Sequence, residues 1–144
     1  PEVDASIPQL VELYRTHKPQ IALCPDALEL LTNLRARTAV ITDGPLASQR
    51  QKFFALGLLP WIECPIFTQE FGIAKPKPAP YQLAALTLDT PFERCVYIGD
   101  NPAKDFAGAH AVGYKTIRVR RPGALHFDTP SDNDVDLEVR DLSL

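Results

Sequence analysis

The stretch Val96-Tyr97-Ile98-Gly99-Asp100-Asn101-Pro102-Ala103-Lys104-Asp105 constrains this chain more than any other. A run of apolar residues leads straight into Gly-Asp, and a second aspartate follows five positions later, in the first turn of a helix predicted from about Pro102 to Ala111. A short apolar run bounded by turn residues reads as a buried strand. Hard divalent cations take oxygen ligands, so a strand ending in one carboxylate with another close behind reads as a seat for such a cation.

The rest of the chain alternates helix-like and strand-like segments, the pattern of a parallel sheet covered by helices. Ser6-Ile7-Pro8-Gln9 resembles a capping box with an early proline, opening a helix with Ile7, Leu10, Val11 and Tyr14 on one face. A second helix starts near Pro25-Asp26 and carries Leu28, Leu31 and Leu34. The strand Ala39-Val40-Ile41 ends at Thr42-Asp43-Gly44, and Pro45 begins a helix with Phe53 and Phe54 facing inward, closed by Gly57. Cys64 to Thr68 read as a strand at a sheet edge, because Pro65 cannot donate to a ladder.

Pro76, Pro78 and Pro80 delay the next helix to Tyr81–Leu88, and Cys95–Ile98, Thr116–Val119 and Val135, Leu137 and Val139 supply further strands. Residues 121–134, rich in Pro, Gly, Asp and Ser, read as a surface loop. The expected fold is a three-layer α/β/α, Rossmann-like arrangement around a mostly parallel sheet.

Composition fits one such domain. The chain has 144 residues, 45% of them hydrophobic and 23% charged, enough for a core. A net charge of −3 and scattered basic residues argue against a nucleic-acid surface. In Arg118-Val119-Arg120 the arginines alternate with an apolar residue, as on the solvent face of a strand. No apolar run approaches the roughly 20 residues of a membrane span, and Pro-Glu-Val-Asp does not begin a signal peptide. Cys24, Cys64 and Cys95 are odd in number and widely spaced, which fits a reducing cytoplasm and no metal cluster.

In an open parallel sheet, ligands bind outside the carboxyl ends of the strands. That rule gathers Thr42, Asp43 and Gly44 after one strand, Lys75 after the next, and Asp100 with Asp105 after a third. Each has an ordinary explanation alone. Asp-Gly is a common turn pair, acids favour helix N-termini, and Lys75 could be a plain surface lysine. Their joint placement favours a hydroxyl, an ammonium and two carboxylates on one rim, the groups that hold a phosphate and a divalent cation together.

These segments resemble three motifs of the haloacid-dehalogenase superfamily of hydrolases. Val40-Ile41-Thr42-Asp43-Gly44 is similar to the motif whose threonine or serine binds a phosphoryl oxygen. Gly72-Ile73-Ala74-Lys75-Pro76 resembles the motif whose lysine steadies negative charge, and Gly99 to Asp105 fits Gly-Asp-x4-Asp, whose acids help hold magnesium. The resemblance runs from about Tyr14 to the end, with Leu137–Leu144 similar to the closing segment. It implies a magnesium-dependent phosphatase of small phosphorylated metabolites working through an aspartyl-phosphate. Thr42 and Lys75 would then be catalytic; Thr42, Asp43, Gly44 and Lys75 would bind phosphate; Asp100 and Asp105 would hold Mg2+. Residues 1–18 would be the remnant of a helical cap and residues 19–144 the core domain.

The family's first motif, Asp-x-Asp-x-Thr or Val at the end of the first strand, supplies the nucleophile, and nothing in this sequence matches it. Val3-Asp4-Ala5-Ser6 lacks the second aspartate and a preceding strand, and Asp136-Leu137-Glu138-Val139 does not fit either. Three readings follow: the larger part of a phosphatase, inactive alone; a binding or scaffold module of the same descent; or an enzyme completed by another chain or by strand exchange in a homodimer. By resemblance the missing strand would lie between those ending at Ile41 and Ile98. An empty gap there is the least expected outcome, since each unpaired buried backbone group costs about 1–3 kcal/mol against a typical stability of about 5–15 kcal/mol.

Overall fold

The computed structural model describes residues 2–16 and 18–143; the side chains of residues 2–5 and 14–16 lie outside the described set, and Tyr14 with them. Helices α1 (Glu2–Thr16), α2 (Pro25–Asn33), α3 (Leu46–Ala55), α4 (Ala79–Thr87) and α5 (Ala107–Ala111) are interspersed with strands β1 (Ala39–Thr42), β2 (Cys64–Phe67), β3 (Val96–Gly99), β4 (Lys115–Val119) and β5 (Leu137–Val139). Every strand pair is parallel. No helix among the described residues is long and apolar enough to cross a membrane.

Successive strand residues point to opposite faces, and that alternation sorts the core into layers. Ala39 and Ile41 of β1 and Cys64 and Ile66 of β2 pack on Ala84 and Leu88 of α4 or its end. Val40 and Phe67 face the other way, onto Phe53, Leu46 and Leu31 of α3 and α2. A third cluster joins Tyr81 and Ala85 of α4 to Ala109 and Tyr114, with Ile41 and Tyr97 against it. Thus α4 and α5 cover one face while α2 and α3 cover β1 and β2 on the other, the expected α/β/α arrangement.

The strands form two sheets, β1-β2 and β3-β4-β5, rather than one. Among the described residues β1 and β3 do not pair, and the penalty expected for an empty gap holds only where the strand edges are buried. All four residues of β1 are half-buried, and β3 alternates between exposed and half-buried positions, with Val96 54% and Ile98 40% exposed. Backbone groups that reach water are not orphaned. What holds the sheets together is α4, whose neighbours include Ile41 on one side and Tyr97 on the other.

Four further expectations need correction. α1 already runs from Glu2, so Ser6 and Pro8 lie inside it rather than at its start. Phe54 is 59% exposed, because the inward face of α3 passes through Leu46 and Phe53 and leaves Phe54 outside it. The helix predicted from Pro102 begins only at Ala107, since Asp105 and Asn101 bend the preceding residues into turns. Arg118, expected on a solvent face, is fully buried. Residues of the 121–134 loop fold back over it, the His126 carbonyl accepting from Nη2 and the Ser131 hydroxyl lying 2.6 Å from Nη1. Pro65 fares as expected: it is exposed on an edge strand.

Two contacts fix the loops around this framework. Gly108 lies under the Pro76–Lys77 segment, where an added Cβ would come within 2.6 Å of Tyr81 Cε2 and 2.8 Å of the Lys77 carbonyl, and closer still to that of Pro76. Asp26 Oδ2 accepts from Arg121 Nη2 at 2.5 Å and from the Leu142 amide at 2.7 Å, tying α2 to the C-terminal segment. The Arg121 guanidinium, aided by that amide, holds the Asp26 carboxyl at about 2, against an ordinary 3.8.

Gly108→Ala is therefore expected to cost about 1–3 kcal/mol by chemical denaturation, the usual penalty of overpacking. Because the folded-state value of Asp26 is depressed, its contribution is complete above the unfolded value and disappears as pH falls through the folded one. The gap in unfolding midpoint between wild type and Asp26→Asn should be constant above about pH 4 and close toward pH 2. A gap that persists at pH 2 would exclude the Asp26 tie as its source.

Candidate functional site

The carboxyl ends of β1, β2 and β3 present Thr42-Asp43, Thr68 and Asp100 on one rim. Asp43 organises the first half of it. Its Oδ1 accepts from the Thr68 hydroxyl at 2.8 Å and from the Lys75 amide at 3.3 Å, so the turn after β1 fixes the loop that carries the lysine. Thr42 sends its hydroxyl to Gln49 Oε1 of α3, 2.8 Å away. Gly44 has φ +125°, a conformation that other residues rarely adopt, so the turn requires glycine.

Asp105 organises the second half. It is 3% exposed and both carboxylate oxygens are engaged. Oδ1 accepts from Lys75 Nζ at 2.6 Å, and Oδ2 accepts from the amides of Asp100 at 3.0 Å and Asn101 at 2.9 Å. The lysine side chain is only 12% exposed, so this is a buried pair, and both oxygens of its carboxylate are satisfied by donors. Gly99 permits the approach: a Cβ there would lie 2.6 Å from Asp105 Oδ2.

Tyr97 completes the contact between the halves. Its hydroxyl is 3.1 Å from Lys75 Nζ and 3.3 Å from Asp105 Oδ1, and its ring stacks edge-on against Tyr81 at 5.0 Å. Burial, reinforced by the negative charge of Asp105, pushes the Tyr97 phenol well above its ordinary range. Tyr81 is raised as well, again chiefly by burial, and its hydroxyl lies 2.8 Å from the Asp105 carbonyl. Both remain neutral phenols.

Hydrogen bonds thus connect Asp43, Lys75 and Asp105 and fix the Asp100 amide. The Thr42 hydroxyl is drawn toward α3, and the Asp100 side chain is exposed with no partner among the described residues. No group of three or more metal-ligating side chains occurs among those residues. A single open carboxylate from Asp100 is a donor of the right hardness for Mg2+, which keeps several waters and takes few protein ligands. Asp100 is therefore the described residue at this rim whose side chain fits such a cation. Sequence reasoning missed Thr68, Gln49 and Tyr97. Tyr97 sat inside an apolar run and passed for core, although its hydroxyl at a strand's carboxyl end was the available signal.

The family model for haloacid dehalogenase-like hydrolases matches residues 3–113. A glyceraldehyde 3-phosphate phosphatase of Methanopyrus kandleri is 32% identical over 119 residues, which is 80% of this chain and 51% of that protein. A phosphoserine phosphatase of Thermus thermophilus is 31% identical over 93% of this chain and 54% of its own length. The chain therefore spans about half the length of these relatives. Among solved structures, a HAD phosphatase from Thermococcus onnurineus superposes with a TM-score of 0.73 at 28% identity, covering 83% of this chain and 54% of that one. A 2-haloacid dehalogenase from Pseudomonas syringae does so with the same TM-score at 27% identity, over 99% and 59%. Matching motifs, fold and family model agree: the chain belongs to the haloacid dehalogenase-like hydrolases.

Proposed function

We propose that this chain is the phosphoryl-binding part of a magnesium-dependent phosphatase acting on a small phosphorylated metabolite. The observation that carries the reading is the Lys75 ammonium, pinned by Asp105 at the carboxyl rim beside Thr42, Asp43 and Asp100. Relatives act on glyceraldehyde 3-phosphate and phosphoserine, which favours a phosphate monoester over a halogenated acid.

In this reading Lys75 offsets the negative charge of the phosphoryl group, the electrostatic stabilisation that dominates such transfers. Thr42 turns its hydroxyl from Gln49 to a phosphoryl oxygen, and the backbone amides around Asp43 and Gly44 add donors. Asp43 acts behind them by fixing Lys75 and Thr68. Asp100 would hold Mg2+, with Asp105 setting the geometry of the Asp100–Asn101 backbone; bound magnesium would supply further charge neutralisation. A carboxylate nucleophile would attack phosphorus and displace the alcohol of the monoester, giving an aspartyl-phosphate that water then hydrolyses to free carboxylate and inorganic phosphate.

The open, parallel edges of β1 and β3 favour the variant in which that nucleophile arrives on one extended strand seated between them, bringing its C-terminal end to the same rim. Such a strand could come from a longer form of this chain, a second copy or a separate polypeptide. A scaffold role without catalysis is the remaining alternative.

Turnover of p-nitrophenyl phosphate with Mg2+ separates these readings. The 144-residue chain alone should release no nitrophenol, whereas the chain joined to or mixed with a strand ending in Asp-x-Asp-x-Thr should, and Asp100→Asn should abolish that activity. Activity of the chain alone, or activity indifferent to Asp100→Asn, would overturn the proposal. Asp105→Asn, which removes one charge of a buried pair, should in addition destabilise the fold by about 3 kcal/mol in a denaturant titration.

A further inference from the structure

Lys75, Tyr97 and Asp105 form a closed triangle, with Nζ–Oδ1 2.6 Å, Nζ–Oη 3.1 Å and Oη–Oδ1 3.3 Å. Only one arrangement of protons satisfies it. An ammonium donates and cannot accept, an ionised carboxylate accepts and cannot donate, and a phenol does one of each. The Tyr97 hydroxyl must therefore donate to Asp105 and accept from Lys75. Two of the three Nζ protons are then committed, to acceptors on different sides, and a single N–H remains.

With Asp105 alone, the ammonium is held at one point and its other two protons sweep around that bond. The phenol supplies a second point, which stops the rotation and gives the remaining N–H one direction. It also shares Oδ1, so the carboxylate does not spend that oxygen on the ammonium alone. The phenol is held in turn by its edge-on contact with Tyr81 and by its place on β3. We infer that Tyr97 is a positioning residue for Lys75, fixing the ammonium so that its free N–H faces an incoming phosphoryl oxygen. The inference concerns the lysine first; its consequence for an anion rests on the phosphate-site reading above.

Tyr97→Phe keeps the ring against Tyr81 and removes only the hydroxyl. Two measurements on the 144-residue chain test it. In the first, inorganic phosphate is titrated calorimetrically into wild type, Tyr97→Phe and Lys75→Ala. The phenylalanine variant should bind about three- to tenfold more weakly, the worth of one hydrogen bond. In the second, the 15N signal of the lysine ammonium groups is recorded, that of Lys75 being identified by its loss in Lys75→Ala. The Lys75 signal, slowed in its exchange with water by two protein acceptors, should broaden away in Tyr97→Phe.

Equal phosphate affinity in wild type and Tyr97→Phe, or an unchanged Lys75 signal, overturns the role of Tyr97. If wild type binds no phosphate, the phosphate-site reading falls instead, and the ammonium signal still decides for or against Tyr97.

Discussion

The Asp105 carboxylate is the point on which the rim depends. A buried charge is tolerable only when it is paired and its lone pairs are filled, and the chain meets that demand from three directions: a lysine from the loop after β2, a phenol from β3, and two amides from its own turn. Each donor is thereby fixed. The carboxylate bends residues 100–106 out of a helix, holds the Asp100 backbone at the strand end, and draws Lys75 inward across the space between the sheets. The same requirement explains why Gly99 sits where a side chain would collide.

Among the described residues two sheets share a layer without sharing a hydrogen-bond ladder, and α4 packs against both. Its buried face is made of small and flat residues, Ala84, Ala85 and Tyr81, which lets the helix lie close to both sheets at once. Polar links supplement this packing. The Arg37 guanidinium reaches the Leu88 carbonyl beyond α4 and Glu63 before β2, and the Asp26 carboxylate joins α2 to Arg121 and Leu142.

Much of this was legible in the sequence. Apolar runs ending in Thr42-Asp43-Gly44 and Gly99-Asp100 announced parallel strands and their rim, because strand periodicity and the carboxyl-end rule are local and topological facts. The prolines around Lys75 located a loop, and Pro65 located an edge. What escaped depended on distant chain. Arg118 reads as a surface residue until the 121–134 loop supplies acceptors for it, and periodicity carries no record of a covering loop. Tyr97 is apolar by neighbourhood and polar by function, and only the partners Lys75 and Asp105 reveal its hydroxyl. The Pro102–Ala111 helix failed for a similar reason: Asp105 looked like a first-turn acid and is a turn-maker.

The division into two sheets also bears on how the chain assembles itself. Ala39 pairs with Cys64, Val96 with Lys115, and Ile117 with Leu137, so no strand must find a partner across more than one crossover. Every one of these pairings joins residues no more than 25 positions apart. Each sheet is encoded by its own continuous stretch, with α4 lying between the two stretches in sequence as it does in space. The strand pairings among the described residues are thus each local to one stretch of chain, and α4 is the element against which both stretches pack.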